Sequence, residues 1–161
     1  MSEFLRRIAS LAYDALIALA IALAVGVVFI AVRSALVPDA PMRVTGGPRI
    51  LLQALVLLAL AVYFVWCWRR GQTLAMRTWR LRLVDARGGR VSVPRALWRF
   101  VLAAAIYGVA VIGGVYVREH DQAPEGWLAL VPLLLTLCWP LWDSQRQFLH
   151  DRLAGTRLVR A

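Results

Sequence analysis

The sequence predicts an all-α membrane protein: a four-helix transmembrane bundle with a small cytoplasmic amphipathic segment and β-hairpin between spans 2 and 3. Three observations predict it. Hydrophobic residues make up 61% of the 161 positions, above the roughly 45–50% of soluble domains, and mean hydropathy is +0.66. The apolar residues gather in four stretches without a charged side chain: residues 15–32, 50–68, 100–117 and 126–142. None of these shows the polar face every 3.6 residues that a soluble amphipathic helix carries. Crossing a hydrocarbon core of about 30 Å takes roughly 17–25 helical residues. A bilayer offers unpaired backbone groups no partner, so such spans are helical. At this length one membrane domain covers residues 1–161.

In chain order, a lead of residues 1–7 precedes a first span over approximately 8–32. Arg6 and Arg7 before an apolar run resemble a secretion signal. The run is too long for a cleaved segment and no small-x-small site follows, so it reads as a retained span. The loop over 33–49 holds Pro38, Pro41, Gly46, Gly47 and Pro48 and is turn-rich. The second span, approximately 50–68, ends at Arg69 and Arg70.

The segment 69–98 is the most patterned polar part. Thr73 to Thr78 suit a short amphipathic helix. Trp79 to Val84 alternate apolar and basic residues, as a half-buried strand does. Asp85 to Gly89 supply a turn, and Arg90 to Val93 a second strand before Pro94. An isolated hairpin is only marginally stable, so it must lean on the bundle or on lipid headgroups. The third span, approximately 99–117, carries Gly108, Gly113 and Gly114, which permit close helix approach. A short acidic loop leads to the fourth span, approximately 126–142, which contains Pro132 and Pro140. A tail over 143–161 completes the chain.

The net charge of +10 comes from 19 basic residues, all arginine. With the N-terminus inside, two of them (Arg6, Arg7), nine from Arg69 to Arg99 and four from Arg146 to Arg160 are cytoplasmic. Only Arg33, Arg43, Arg49 and Arg118 are then outside. Arginine near membrane ends is retained on the cytoplasmic side, so this asymmetry places both termini in the cytoplasm. Trp66, Trp68, Trp98, Trp139 and Trp142 then mark the inner interface. Cys67 and Cys138 fall at cytoplasmic ends, where thiols stay reduced and serve packing. Arg69, Arg70, Arg77, Arg80 and Arg82 form a basic patch expected against anionic lipid headgroups, each worth about 1 kcal/mol near the surface. Held there, the patch is not expected to bind nucleic acid.

Asp14 is the most informative position. It lies about six residues into the first span, roughly 9 Å along the axis. A carboxylate at that depth costs a few kcal/mol unless paired or wetted, and faces the bundle interior. Arg7 shares its face two turns earlier, but about 10.5 Å of rise separates them, so a third group or water should bridge them. Arg99, at the start of the third span, lies at matching depth.

Three segments resemble the motifs of the RDD family of bacterial membrane proteins, named for one arginine and two aspartates. Residues 7–14, Arg-Ile-Ala-Ser-Leu-Ala-Tyr-Asp, resemble the opening motif. Gly71-Gln72-Thr73-Leu74-Ala75-Met76-Arg77 with Leu81-Arg82-Leu83-Val84-Asp85 resemble the central one. His150-Asp151-Arg152-Leu153-Ala154-Gly155-Thr156 resemble the closing one. Ala75 stands where the family commonly has glycine, and family members are usually described with about three spans.

The resemblance implies that Arg7, Asp14 and Asp151 are the name-giving residues, with Gly71, Thr73, Gly155 and Thr156 as motif positions. It also implies a bacterial cytoplasmic (inner) membrane location. Some members have been proposed as sodium/proton antiporters. The expected function is therefore a scaffold or accessory membrane subunit organised by a polar cluster of Arg7, Asp14, Arg99 and Asp151. The alternative is a cation/proton antiporter using Asp14, which with only four spans would need a homodimer or another membrane-protein partner. A third reading is a surface binding module built on 71–99. By itself, Asp151 could simply cap a helix in the tail. His120 and His150 fall on opposite sides of the membrane and cannot share a metal. Ser144, His150 and Asp151 lack a nucleophile elbow. No enzyme activity, cofactor or metal is expected.

Overall fold

The computed structural model describes residues 3–39, 41, 43–119, 127–143 and 147–161. Helix α1 runs Glu3–Leu36, α2 Gly46–Arg69, α3 Leu74–Thr78 and α4 Val93–Glu119. Strand β1, Leu81–Asp85, lies between α3 and α4. A 3-10 turn over Leu128–Leu130 leads into α5, Val131–Trp142, then α6, Leu149–Leu153, and β2, Thr156–Arg160. His120, Ser144 and most of the acidic loop lie outside the described residues.

Among the described residues three helices, α1, α2 and α4, are long and apolar enough to cross a membrane. The protein is an all-α membrane protein with a small two-stranded sheet. The fourth apolar stretch forms a shorter helix. Its 3-10 turn and the 12 residues of α5 rise about 24 Å, less than the roughly 30 Å of a hydrocarbon core. Pro132 falls in the first turn, where its missing N–H costs nothing, while Pro140 sits inside the helix. Along the long helices aliphatic side chains such as Leu19, Leu23, Val27, Leu58, Val62 and Ile112 stand exposed, as lipid-facing side chains do.

The buried core sits at the end of the bundle that gathers the start of α1 and the tail. Trp68, Met76, Leu81, Leu83, Val91, Ala96 and Leu158 pack there, flanked by Phe64, Val65, Trp79 and Phe100. Thr73 starts α3 as its N-cap, its hydroxyl accepting from the Met76 N–H at 3.1 Å, the device that satisfies an otherwise orphan donor.

The expected hairpin is corrected. β1 exists, but it pairs antiparallel with β2 of the tail, from Leu81 opposite Arg160 to Asp85 opposite Thr156. Residues 90–92 form no strand and α4 begins at Val93. Two causes act together. Pro94 lies in the first turn of α4, a position that favours helix entry. Asp85 Oδ1 accepts from the N–H groups of Arg87 (2.9 Å) and Gly89 (2.7 Å), closing a local turn that sends the chain into α4. The tail strand, Thr-Arg-Leu-Val-Arg, has the required alternation: Thr156 and Leu158 are buried on the face shared with Leu81 and Leu83.

Two motif glycines are fixed by backbone geometry. Gly71 has φ +89°, and a Cβ there would lie 3.1 Å from Arg82 Nε, while its carbonyl accepts from Leu83 N at 2.7 Å. Gly155 has φ +63° in open space, ends α6 as glycine commonly does, and accepts from Ala86 N at 3.0 Å.

Candidate functional site

Helix α1 presents Arg7, Ser10 and Asp14 at spacings of three and four, which places them on one stripe. All three are buried. The stripe faces Thr73 ahead of α3, Arg99 of α4 and the β2 strand. Arg7 Nη2 donates to the Leu158 carbonyl at 3.0 Å, which ties the first turns of α1 to the tail. Asp14 Oδ2 accepts from the Thr73 hydroxyl at 3.2 Å, while Oδ1 is buried with no hydrogen-bond partner among the described residues. Arg99 lies within electrostatic range of Asp14, and Tyr63 and Cys67 of α2 do too.

Arg99 is the centre of the arrangement. It is 4% exposed and engages Asp151 Oδ1 through Nε (2.7 Å) and Nη2 (2.5 Å). Its guanidinium also lies over the Trp68 ring, 4.1 Å from the centroid. Burying two charges is repaid only when pairing is close and the remaining polar atoms are bonded; Arg99 holds Oδ1 closely, while Asp151 Oδ2 is buried without a hydrogen-bond partner among the described residues. Asp151 thus joins the polar cluster through Arg99. Asp151 sits inside α6 with its carboxylate turned onto Arg99, and Phe148 occupies the N-cap position.

His150 completes this group. Its ring stacks on Phe148 (5.7 Å between centroids, planes 7° apart) and meets Tyr107 edge-on at 6.0 Å. Its Nε2 lies 3.5 Å from both Arg99 Nη2 and Asp151 Oδ1. Burial pushes its pKa down to about 4, with the Asp151 carboxylate opposing and the Arg99 cation reinforcing the shift. The imidazole is therefore neutral, and its proximity to Asp151 is not an ion pair. Its Nε2 thus stands equally near a donor, Arg99 Nη2, and an acceptor, Asp151 Oδ1, while Nδ1 is buried without a hydrogen-bond partner among the described residues.

The structure thus brings Arg99 and Asp151 into direct contact and sets Asp14 near them. Among the described residues no ion pair joins Arg7 to Asp14; Arg7 bonds to β2 and Asp14 to Thr73. Motif residues Gly71 and Thr73 flank the site through the α2–α3 turn. Gly155 and Thr156 connect α6 to β2, with the Thr156 hydroxyl donating to the Asp151 carbonyl at 3.2 Å. Sequence reasoning missed Ser10, Tyr107 and His150 as members of the cluster. For Ser10 a signal existed, since it stands one turn before Asp14 on the same face.

The basic patch is separate from this site. Arg69, Arg70, Arg77, Arg80 and Arg82 are all exposed, and Arg70 lies over the Trp66 ring at 3.8 Å. Cys67 and Cys138 are free thiols. Among the described residues no three His, Cys, Asp or Glu side chains gather as a metal-binding group.

The opening, central and closing motifs therefore converge in space on one buried polar layer. A family model described as the RDD family matches residues 1–155. The chain belongs to the RDD family. No curated protein and no solved structure matches it. In this RDD protein Arg99 joins Asp151 of the tail to the bundle.

Proposed function

We propose that this RDD protein acts in the bacterial inner membrane as a scaffold or accessory subunit, with both termini in the cytoplasm. The arginine asymmetry of the sequence supports the orientation. The observation that carries the scaffold reading is the buried Arg99–Asp151 pair, closed by two short hydrogen bonds. Together with Arg7 on the Leu158 carbonyl, it clamps the tail and sheet onto α1 and α4. Such a layer sets helix register and presents a fixed surface to a partner membrane protein. The exposed arginines add anionic headgroups to the contacts this surface makes.

A second reading, a cation/proton exchanger working through Asp14, is favoured by one observation: Asp14 Oδ1 has no hydrogen-bond partner among the described residues. An intramembrane carboxylate in that state is poised to take a cation or a proton. Ion flux in inverted vesicles separates the two. Purified protein that moves no ions at any pH removes the exchanger. Sodium-driven proton flux that Asp14→Asn abolishes while the protein stays folded removes the scaffold.

A further inference from the structure

The two strands lay out a face that the buried polar layer does not use. In their register Leu83 stands opposite Leu158 on the side turned into the core. Side chains alternate along a strand, so Arg82 and Val84 of β1 share the other side with Arg157 and Val159 of β2. Arg82 lies opposite Val159 and Val84 opposite Arg157, a checkerboard with the two arginines on one diagonal. Neither forms an ion pair among the described residues, and Arg157 Nε is a buried donor without a hydrogen-bond partner among them. Asp85 is the one acidic side chain on the strands, and Arg95 and the turn that follows already engage it. Where the chain enters β1, Arg80 holds a left-handed backbone, φ +54°, just past α3, a place glycine ordinarily fills. Its carbonyl accepts from Ala161 N at 2.9 Å. A third guanidinium is thus kept beside the sheet at a cost in backbone strain.

The core side of the sheet rests on helix ends. Trp68 closes α2, Ala96 and Phe100 belong to the first turns of α4, and Arg7 near the start of α1 reaches Leu158. The sheet therefore lies across one end of the bundle, and its outer side looks away from the membrane those helices cross. The basic patch divides accordingly. Arg70, over Trp66 at the end of α2, and Arg69 stay at headgroup level, whereas Arg82 and Arg157 project past it. We propose that the outer side of the sheet docks an extended acidic segment of a partner protein, with carboxylates at alternate positions. Cross-strand diagonal neighbours stand about 7–8 Å apart, and alternate residues of an extended strand about 6.6–6.8 Å. Two carboxylates spaced in that way meet Arg82 and Arg157 together. A guanidinium grips a carboxylate through two parallel N–H bonds, and Val84 and Val159 offer apolar contact between the two grips. The partner chemistry rests on the scaffold reading above, which it deepens.

The test uses the full chain in phosphatidylcholine nanodiscs and a fluorescein-labelled peptide that alternates glutamate and valine. Saturable binding by fluorescence anisotropy is expected, and weaker binding of a peptide of equal composition whose glutamates are contiguous. Arg82→Gln with Arg157→Gln should raise the Kd about tenfold, the effect of two exposed ion pairs, while Arg69→Gln with Arg70→Gln leaves it unchanged. A photoreactive form of the peptide should label residues 82–84 and 157–159 of the unaltered protein, a check that depends on no variant folding. No saturable binding, equal binding of the two peptides, a Kd that follows Arg69 and Arg70 instead, or labelling confined to the end of α2 overturns the docking face. Binding should persist when phosphatidylglycerol is added to the nanodiscs; its loss there assigns the face to headgroups and overturns the proposal as well. Ion flux distinguishes the two levels. Sodium-driven proton flux that Asp14→Asn abolishes removes the scaffold reading, whereas a protein that moves no ions and binds no peptide loses the acidic partner alone.

Discussion

The neutral state of His150 makes the stability of the clamp pH-dependent, with a sign and size that follow from its surroundings. In the unfolded chain the imidazole titrates at about 6.5, and in the folded protein at about 4. The folded state therefore binds the proton less readily, so its advantage is complete above pH 6.5 and declines as pH falls toward 4. Below that both states are protonated and the loss levels off. The interval between the two values corresponds to about 3 kcal/mol. No large screening correction applies, since His150 is 2% exposed. Protonation would set an imidazolium 3.5 Å from the Arg99 guanidinium, with Tyr107 and Phe148 closing the other sides. The assay is thermal or denaturant unfolding in detergent between pH 8 and pH 4, comparing the protein with His150→Gln, whose amide oxygen can still face Arg99. Asp85, held below the usual carboxylate range by the Gly89 and Arg87 N–H groups and by Arg95, contributes equally to both proteins and cancels. The unaltered protein should lose about 3 kcal/mol more than the variant across this window. Parallel profiles would refute the reasoning.

Arg99→Met should destabilise the protein by about 3–5 kcal/mol, because it strands a buried carboxylate. The double change Arg99→Met with Asp151→Leu should cost clearly less, and equal losses in equilibrium unfolding would argue against a stranded charge. Thr73→Ala removes both the cap of α3 and the donor to Asp14, a loss of about 1–2 kcal/mol that Thr73→Ser should restore in the same measurement. Gly71→Ala should cost more than Gly155→Ala. Both impose a left-handed backbone on alanine, about 1–2 kcal/mol, but only Gly71 also meets Arg82 at 3.1 Å; matching shifts in melting temperature would count against that contact.

What the sequence revealed and what it concealed divide along the range of the interactions. The membrane helices are legible because lipid imposes the rule locally: a charge-free stretch of sufficient length has no other way to satisfy its backbone. The brevity of α5 is less legible, since apolar composition extends beyond the helix that forms. β1 was visible in its own alternation, but its partner was not. Residues 90–93 and 156–160 both follow β1 and both alternate, and only the turn at Asp85 together with helix entry at Pro94 decides between them. The same holds in the site. Asp14 stood out because a carboxylate in an apolar run is costly, whereas its partner Thr73 lies 59 residues away and no local pattern joins them. The cage around His150 depends on α4 and α6 meeting, which composition does not encode.

The sheet also has a bearing on biogenesis. β1 is translated roughly 70 residues before the strand that completes it, and α4 and α5 must both emerge in the interval. Until β2 arrives, the edge of β1 is unsatisfied and Leu81 and Leu83 lack their cover, a state that invites surveillance proteases or mispairing. Zipping the tail home is thus a late maturation event. A truncation or bulky fusion placed at Thr156–Arg160 should yield an inserted protein that is rapidly degraded.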